Sequence, residues 1–256
     1  MTEPTPKQLL EVAMQAAHEA GQRTLAYFQA GPPVEWKADG SPVTPADVAS
    51  EQALRRVISL AFPNHGILGE EQGESPGTEP FRWVIDPLDG TRTFLRGVPL
   101  YGVLVGVEAR TEPVAGVIYL PALGEMIAAA RGEGCTWNGR PCRVSQVREL
   151  SQATLVVTSP RAMRRAAAVG YEDLARTVRM ERTWGDCYGH ALVATGRADI
   201  AIDTSVAIWD LAAVLPIIEE AGGLFTDWRG RRTARSGDGV STNGLLHAAV
   251  LEALVG

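Results

Sequence analysis

Four apolar runs in close succession constrain the fold of this chain more than any other feature. They are RWVID (82–86), LYGVLVGVEA (100–109), VAGVIYL (114–120) and EMIAAA (125–130). Each has the length of a strand, and turn residues punctuate them at Arg110–Pro113 and in WNGRP (137–141). That pattern is one of neighbouring antiparallel strands. Before it, Leu9, Leu10, Ala13, Ala16, Ala17 and Ala20 recur at helical spacing and predict a helix over 7–29. A second helix opens in SPVTPADVASEQALRRVISLAF, with Thr44 as N-cap, Pro45 in the first position and Asp47 three beyond the cap. GILGE (66–70) reads as a short strand and 71–80 as a loop. After about residue 150 the texture changes. ATLVVTS, helical 161–169, helical 185–196, ADIAID (198–203), helical 207–221, GLFTDW and a helix from about 242 alternate strand with helix. The expectation is an α/β fold with an α+β half over 1–147 and an α/β half over 148–256.

Charge and cysteine usage narrow the classes of function. The formal net charge is −6, and the densest basic cluster, Arg229, Arg231, Arg232 and Arg235, reads as a surface turn. No nucleic-acid partner is therefore expected. An anionic ligand would need something other than a basic patch to hold it, and bound metal is the obvious candidate. Cys135, Cys142 and Cys187 are odd in number and form no C-x-x-C, which indicates neither a disulfide framework nor a zinc knuckle. MTEPTPKQ lacks the pattern of a signal peptide, and no apolar run reaches the ~20 residues of a membrane helix. No membrane association and a cytoplasmic setting are expected.

The chemistry concentrates in carboxylates. In WVIDPLDGT (83–91), Asp86 and Asp89 follow a run that looks buried. An Asp-Pro-x-Asp-Gly sequence alone is an ordinary type I turn. Two carboxylates at a buried strand tip, however, repel unless they are paired or metal-bound. No lysine or arginine lies in the tightest part of the motif, and Gly90-Thr91 opens a segment whose free N–H groups suit phosphate. Glu70 and Glu71 end GILGE, and alternation along a strand sends them to opposite faces. Asp210 fits the first turn of a helix and Asp47 a capping box. Together these acids make an oxygen-rich site for hard divalent ions such as Mg²⁺. Other chemistries lack their signatures. There is no H-E-x-x-H, no P-loop and no G-x-S-x-G, and the D-x-D-G-T pattern of aspartyl-nucleophile phosphatases fails because position 87 is proline. The four histidines, His18, His65, His190 and His247, read as surface or core residues.

SPVTPAD (41–47), GEE (69–71), WVIDPLDGT, WDLAAVLPIIEEAGG (209–223) and STNGLLH (241–247), in this order, make the chain resemble the inositol monophosphatase superfamily of metal-dependent, lithium-sensitive phosphomonoesterases. The resemblance implies a layered αβαβα sandwich, a homodimer, and two or three Mg²⁺ per subunit with Mn²⁺ as a possible substitute. It implies that Glu70, Asp86 and the Leu88 carbonyl hold one ion and that Asp86, Asp89 and Asp210 hold a second. Thr91, with Asp47 behind it, would orient and help deprotonate the attacking water, with Glu70 beside a third ion. The N–H groups of Gly90 and Thr91 would take phosphate oxygens, and Asp203 would contact the leaving group of a small phosphorylated substrate.

FLRGVPLYGVLVGVE (94–108) and WGDCYGHALVATGRADIAID (184–203) resemble the histidinol-phosphatase branch, which would place the chain in histidine synthesis. Asp186 would then be a contact for an amine-bearing alcohol. Its competing role is to cap the helix it begins. Thr93 stands where many relatives have Asn or Ser. An inositol-1-phosphate phosphatase, a bisphosphate nucleotidase or fructose bisphosphatase, and a non-catalytic regulatory or RNA-associated protein on the same fold are the competing readings.

Overall fold

Helix α1 (Pro6–Leu25) starts at a reciprocal cap, in which the Thr5 side chain accepts the Gln8 N–H and the Gln8 side chain returns to the Thr5 N–H. It ends at Leu25 and not at 29, because residues 26–29 fold into turns and Gln29 takes a positive φ. The computed structural model describes residues 3–255; the chain ends at 1–2 and 256 lie outside the described residues. A two-strand hairpin, β1 (Glu35–Trp36) and β2 (Pro42–Val43), leads into α2 (Pro45–Ala61).

The apolar runs build an eight-stranded sheet. Its strands are β3 (Gly66–Gly69), β4 (Gly73–Ser75), β5 (Phe81–Asp89), β6 (Gly102–Ala109), β7 (Glu112–Leu120), β8 (Glu125–Ala130), β9 (Gly134–Trp137) and β10 (Arg140–Pro141), in the order β10-β9-β8-β7-β6-β5-β3-β4. All neighbours are antiparallel except β3 and β5. Strand β5 does not stop at Asp86. It continues to Asp89, and its pairing jumps from Asp86 opposite Leu104 to Asp89 opposite Gly102. One extra residue in β5 makes a β-bulge, which takes the place of the type I turn. Pro87 is tolerated inside this central strand because it lies in the bulge. One short helix, α3 (Thr91–Phe94), follows at once.

The second sheet contains β11 (Thr154–Val157), β12 (Met180–Arg182), β13 (Ile200–Thr204), β14 (Leu224–Thr226) and β15 (Asp238–Thr242), ordered β12-β11-β13-β15-β14. Its helices are α4 (Pro160–Thr177), α5 (Cys187–Ala194), α6 (Ile208–Leu211), α7 (Val214–Glu220) and α8 (His247–Val255). Two expectations change here. The helix over 207–221 is broken into α6 and α7, and residues 238–242 are strand, so the last helix begins at His247. Strand β15 is polar and Gly-rich in sequence. It forms because β13 and β14 satisfy its backbone groups on both sides.

Alternation sorts the side chains into layers. Val103, Val105 and Val107 of β6 pack with Leu9, Ala13, Ala16, Leu54 and Ile58 of α1 and α2. Leu104 points the other way, into a cluster with residues of α5, α6 and α7. In the second sheet Leu155, Val157, Ile200 and Ile202 face α4 and α8, while Val156 and Ala201 face the same middle helices. The order is thus helices, sheet, helices, sheet, helices, the αβαβα sandwich expected. Every strand of the centre is buried on both faces, which is why these runs are continuously apolar.

The middle layer sits close to the first sheet because two glycines are paired across β6 and β7. Gly106 lies opposite Gly116. A Cβ on Gly106 would meet the Ala212 carbonyl carbon at 2.7 Å, and one on Gly116 the Ala213 carbonyl oxygen at 2.1 Å. No helix among the described residues is long and apolar enough to cross a membrane.

Candidate metal-binding active site

Three loops and two helix starts converge at one end of the first sheet. Trp83 and Ile85 point to the α1–α2 side, so alternation turns Asp86 toward the middle layer. The Gly106–Gly116 seat brings α6, and with it Asp210, to meet Asp86. The bulge re-aims Asp89 to the same place. Carboxylate oxygens of Asp86, Asp89 and Asp210 lie within 4.8 Å of one another.

This cluster is poorly neutralised by the protein. None of the three acids forms an ion pair among the described residues. Their partners are neutral N–H groups. Leu88 N–H donates to Asp86 Oδ1 at 2.9 Å, Cys187 N–H to Asp89 Oδ2 at 2.5 Å, and Ala207 N–H to Asp210 Oδ2 at 2.7 Å. Burial, reinforced by Glu70, Asp89 and Asp210, pushes Asp86 well above the usual carboxylate range. Burial and the charges of Asp186 and Asp210 do the same to Asp89. Asp210 is pushed up to about 6 by burial, against the Ala207 N–H that bonds to it. An all-oxygen set of acids, one buried and two half-buried, raised by desolvation and then by their own proximity, fits a hard divalent cation.

Helix α2 supports the site from beneath through one face. Asp47, Ser50 and Glu51 are buried polar residues at helical spacing. Asp47 Oδ2 accepts the Thr44 N–H and hydroxyl, closing the capping box, while Oδ1 lies 3.2 Å from the Thr91 hydroxyl. The capping bonds of Asp47 and its contact with Thr91 thus fall on separate oxygens. Burial is the main influence on its pKa and raises it, opposed by the bonds from Thr44 and Thr91. Thr91 also reaches the Leu88 carbonyl at 3.1 Å. Ser50 donates to the Pro87 carbonyl at 2.6 Å, and Glu51 accepts the Glu71 and Gln72 N–H groups at 2.8 and 3.0 Å. Ser50 and Glu51 escaped the sequence reading, although their three- and four-residue offsets from Asp47 were a usable signal.

Glu70 and Glu71 correct an expectation. Strand β3 ends at Gly69, so alternation does not apply, and both acids bind the Lys37 ammonium, at 2.8 and 2.7 Å. Burial would lower Lys37, but hydrogen bonds and charge from the two glutamates outweigh it and raise the ammonium above its ordinary value. Burial lifts Glu71 to about 7 against the Lys37 bond. Lys37 sits between β1 and β2, far from the acids in sequence, and nothing in its own neighbourhood announced it.

A cavity of about 320 Å³ is lined by Glu70, Asp89 and Asp210 and also by Asp186 and Asp203. Asp186 is at the start of α5 but makes no capping bond; the helix gives its first N–H to Asp89. Its backbone has φ 52° and ψ −155°, a conformation that costs about 1–3 kcal/mol for a non-glycine residue. Thr93 Oγ1 lies 3.3 Å from its Oδ2. Burial, then the charge of Asp203, pushes Asp186 up to about 6, with the Thr93 hydroxyl acting against them. Gly90, at φ 84°, passes so close that a Cβ there would lie 3.0 Å from Asp186 Oδ2. Gly90 and Thr91 line the same cavity. His190, read from sequence as an ordinary core or surface residue, is buried and lines this cavity too, 2.8 Å from Asp203.

Comparison with known proteins adds to this geometry. The family model described as "Inositol monophosphatase family" matches residues 5–256. A protein of Chlorobaculum parvum named histidinol-phosphatase is 44% identical over 248 residues, covering 96% of this chain and 96% of its own. One of the same name from Streptomyces coelicolor is 37% identical, covering 94% and 95%. The crystal structure of the extragenic suppressor protein suhB from Bartonella henselae superposes with a TM-score of 0.91 at 30% identity, over 96% of this chain and 98% of that one.

Proposed function

The chain belongs to the inositol monophosphatase family, and from that premise we propose that it is a Mg²⁺-dependent phosphomonoesterase whose substrate is histidinol phosphate. The observation that carries this reading is one cavity lined both by acids suited to metal, Glu70, Asp89 and Asp210, and by Asp186 and Asp203, which suit a cationic alcohol. Full-length similarity to proteins named histidinol-phosphatase supports the same choice.

In this reading Asp86, Asp89, Asp210 and Glu70, with the Leu88 carbonyl, would hold two or three Mg²⁺, or Mn²⁺ in their place. Ions held there would supply charge to neutralise the phosphate, a lowered pKa for a bound water, and stabilisation of the leaving alkoxide. The protein's own part is positional. Asp47 Oδ1, 3.2 Å from the Thr91 hydroxyl, would receive the Thr91 proton as that hydroxyl orients a water and takes its proton. Gly90 and Thr91 would offer backbone N–H groups to phosphate oxygens, and the φ of 84° at position 90 favours glycine there. Asp186 and Asp203 would receive the ammonium-bearing end of the substrate as charge-assisted hydrogen-bond acceptors. A cytoplasmic homodimer serving histidine synthesis completes the proposal.

Phosphate release with Mg²⁺ from L-histidinol phosphate, inositol-1-phosphate and an adenosine bisphosphate, measured side by side, tests it. Histidinol phosphate should lead in kcat/KM by about a hundredfold, roughly 2.7 kcal/mol in the transition state. Parity with inositol-1-phosphate would refute the substrate assignment and leave a generalist monoesterase. No turnover of any ester would refute the catalytic reading.

A further inference from the structure

Asp186 and Asp203 are held by one hydroxyl. Thr158, at the end of β11, accepts the Asp186 N–H on Oγ1 at 2.7 Å and donates to Asp203 Oδ1 at 2.8 Å. A hydroxyl has one proton to give and two lone pairs to receive, so both bonds form at once. The other oxygen of Asp203, Oδ2, lies 2.8 Å from His190 Nε2, and His190 Nδ1 lies 2.7 Å from the Ser241 hydroxyl. The result is a continuous chain from the Asp186 backbone through Thr158, Asp203 and His190 to β15.

This chain explains why Asp186 keeps a backbone conformation that L side chains rarely adopt. Gly185 lies so tightly on Thr158 that a Cβ would meet the threonine Cα at 2.2 Å. The bond from the Asp186 N–H then locks the next residue. Neither carboxylate touches a lysine or arginine among the described residues. A carboxylate has about four lone-pair sites. Thr158 and His190 take two on Asp203, and Thr93 takes one on Asp186, so both acids keep acceptor capacity facing the cavity.

We propose that Thr158, backed by His190, is a positioning residue for substrate selectivity: it fixes Asp186 and Asp203 as a pair of acceptors for the cationic group of the leaving alcohol. This rests on the reading of an amine-bearing phosphomonoester made above. Thr158 acts through the two acids. Its hydroxyl matters for how well the amine is recognised, and less for the phosphate chemistry at Asp86, Asp89 and Asp210, none of which it bonds.

The test is steady-state kinetics of the full chain with Mg²⁺ on L-histidinol phosphate and on β-glycerophosphate, a monoester without an amine. Thr158→Val removes the hydroxyl at constant shape, Thr158→Ser keeps it, and His190→Gln loosens the far end of the chain. Thr158→Val should lower kcat/KM on histidinol phosphate by about tenfold more than on β-glycerophosphate, as expected for a lost bond to a charged acceptor, with the excess in KM. His190→Gln should shift selectivity the same way, and Thr158→Ser should restore it. Equal losses on both esters in Thr158→Val, or no rescue by serine, would overturn the positioning role while leaving the substrate assignment intact. A wild-type enzyme with no preference for the amine-bearing ester would instead overturn the substrate assignment, and this proposal with it.

Discussion

The seat formed by Gly106 and Gly116 controls whether Asp210 can reach Asp86, and Gly116→Ala perturbs it directly. The new Cβ would lie 2.1 Å from the Ala213 carbonyl oxygen, more than 1 Å inside an ordinary contact of 3.4 Å. The obstacle is backbone in a buried layer, so no side-chain rotation relieves it. Either β7 sinks or the segment through Ala213 lifts. Overpacking of this kind costs about 1–3 kcal/mol, which for a chain of this size lowers Tm by roughly 2–12 °C. Asp210 lies three residues before Ala213 and shares the lift, opening a carboxylate cluster now held within 4.8 Å. A misplacement of about 1 Å at a catalytic centre is worth up to a hundredfold in rate. Calorimetric melts with and without Mg²⁺, and kcat/KM across a Mg²⁺ titration, measure both effects. The expected variant is less stable, needs more Mg²⁺ and turns over more slowly even at saturation. A Tm within about 2 °C of wild type together with an unchanged Mg²⁺ dependence would refute the claim that this seat sets the metal geometry.

Asp86→Asn should separate stability from function. It removes a buried charge crowded by Glu70, Asp89 and Asp210, so the metal-free protein should melt higher. Calorimetric Mg²⁺ binding should weaken and turnover should fall by about a thousandfold or more, since several kcal/mol of charge stabilisation are lost; near-normal activity would sink the metal assignment. Metal-free stability should also depend on pH in a defined direction. Asp210 and Asp186 sit near about 6 in the folded chain against an ordinary 3.8, so the folded state binds more protons than the unfolded between those values. Stability should therefore fall as pH rises from about 4 to about 6, and excess Mg²⁺ should cancel the Asp210 share of the fall. A metal-free Tm that climbs through this window would contradict the sign.

Much of this protein was legible in its sequence because local rules governed it. Thr44, Pro45 and Asp47 announce the start of α2, and the apolar runs of β6, β7 and β8 announce strands buried on both faces. Asp86 and Asp89, with no basic residue in the tightest part of their motif, pointed to a cluster of acids, and the structure gathers them with Asp210 within 4.8 Å. What the sequence could not settle depends on partners distant along the chain. The Asp86–Asp89 segment looks like a turn until β6 pairs with it and turns it into a bulge. Glu70 and Glu71 look like alternating strand residues until Lys37 gathers both. Asp186 looks like a helix cap until Asp89 takes that N–H and Thr158 pins its backbone. His190 carries no local mark at all; it matters only because β13 sets Asp203 beside it. Side-chain chemistry and local backbone preference are written residue by residue, whereas the layer packing that decides which of those groups meet is fixed only when the two sheets close on their shared helices.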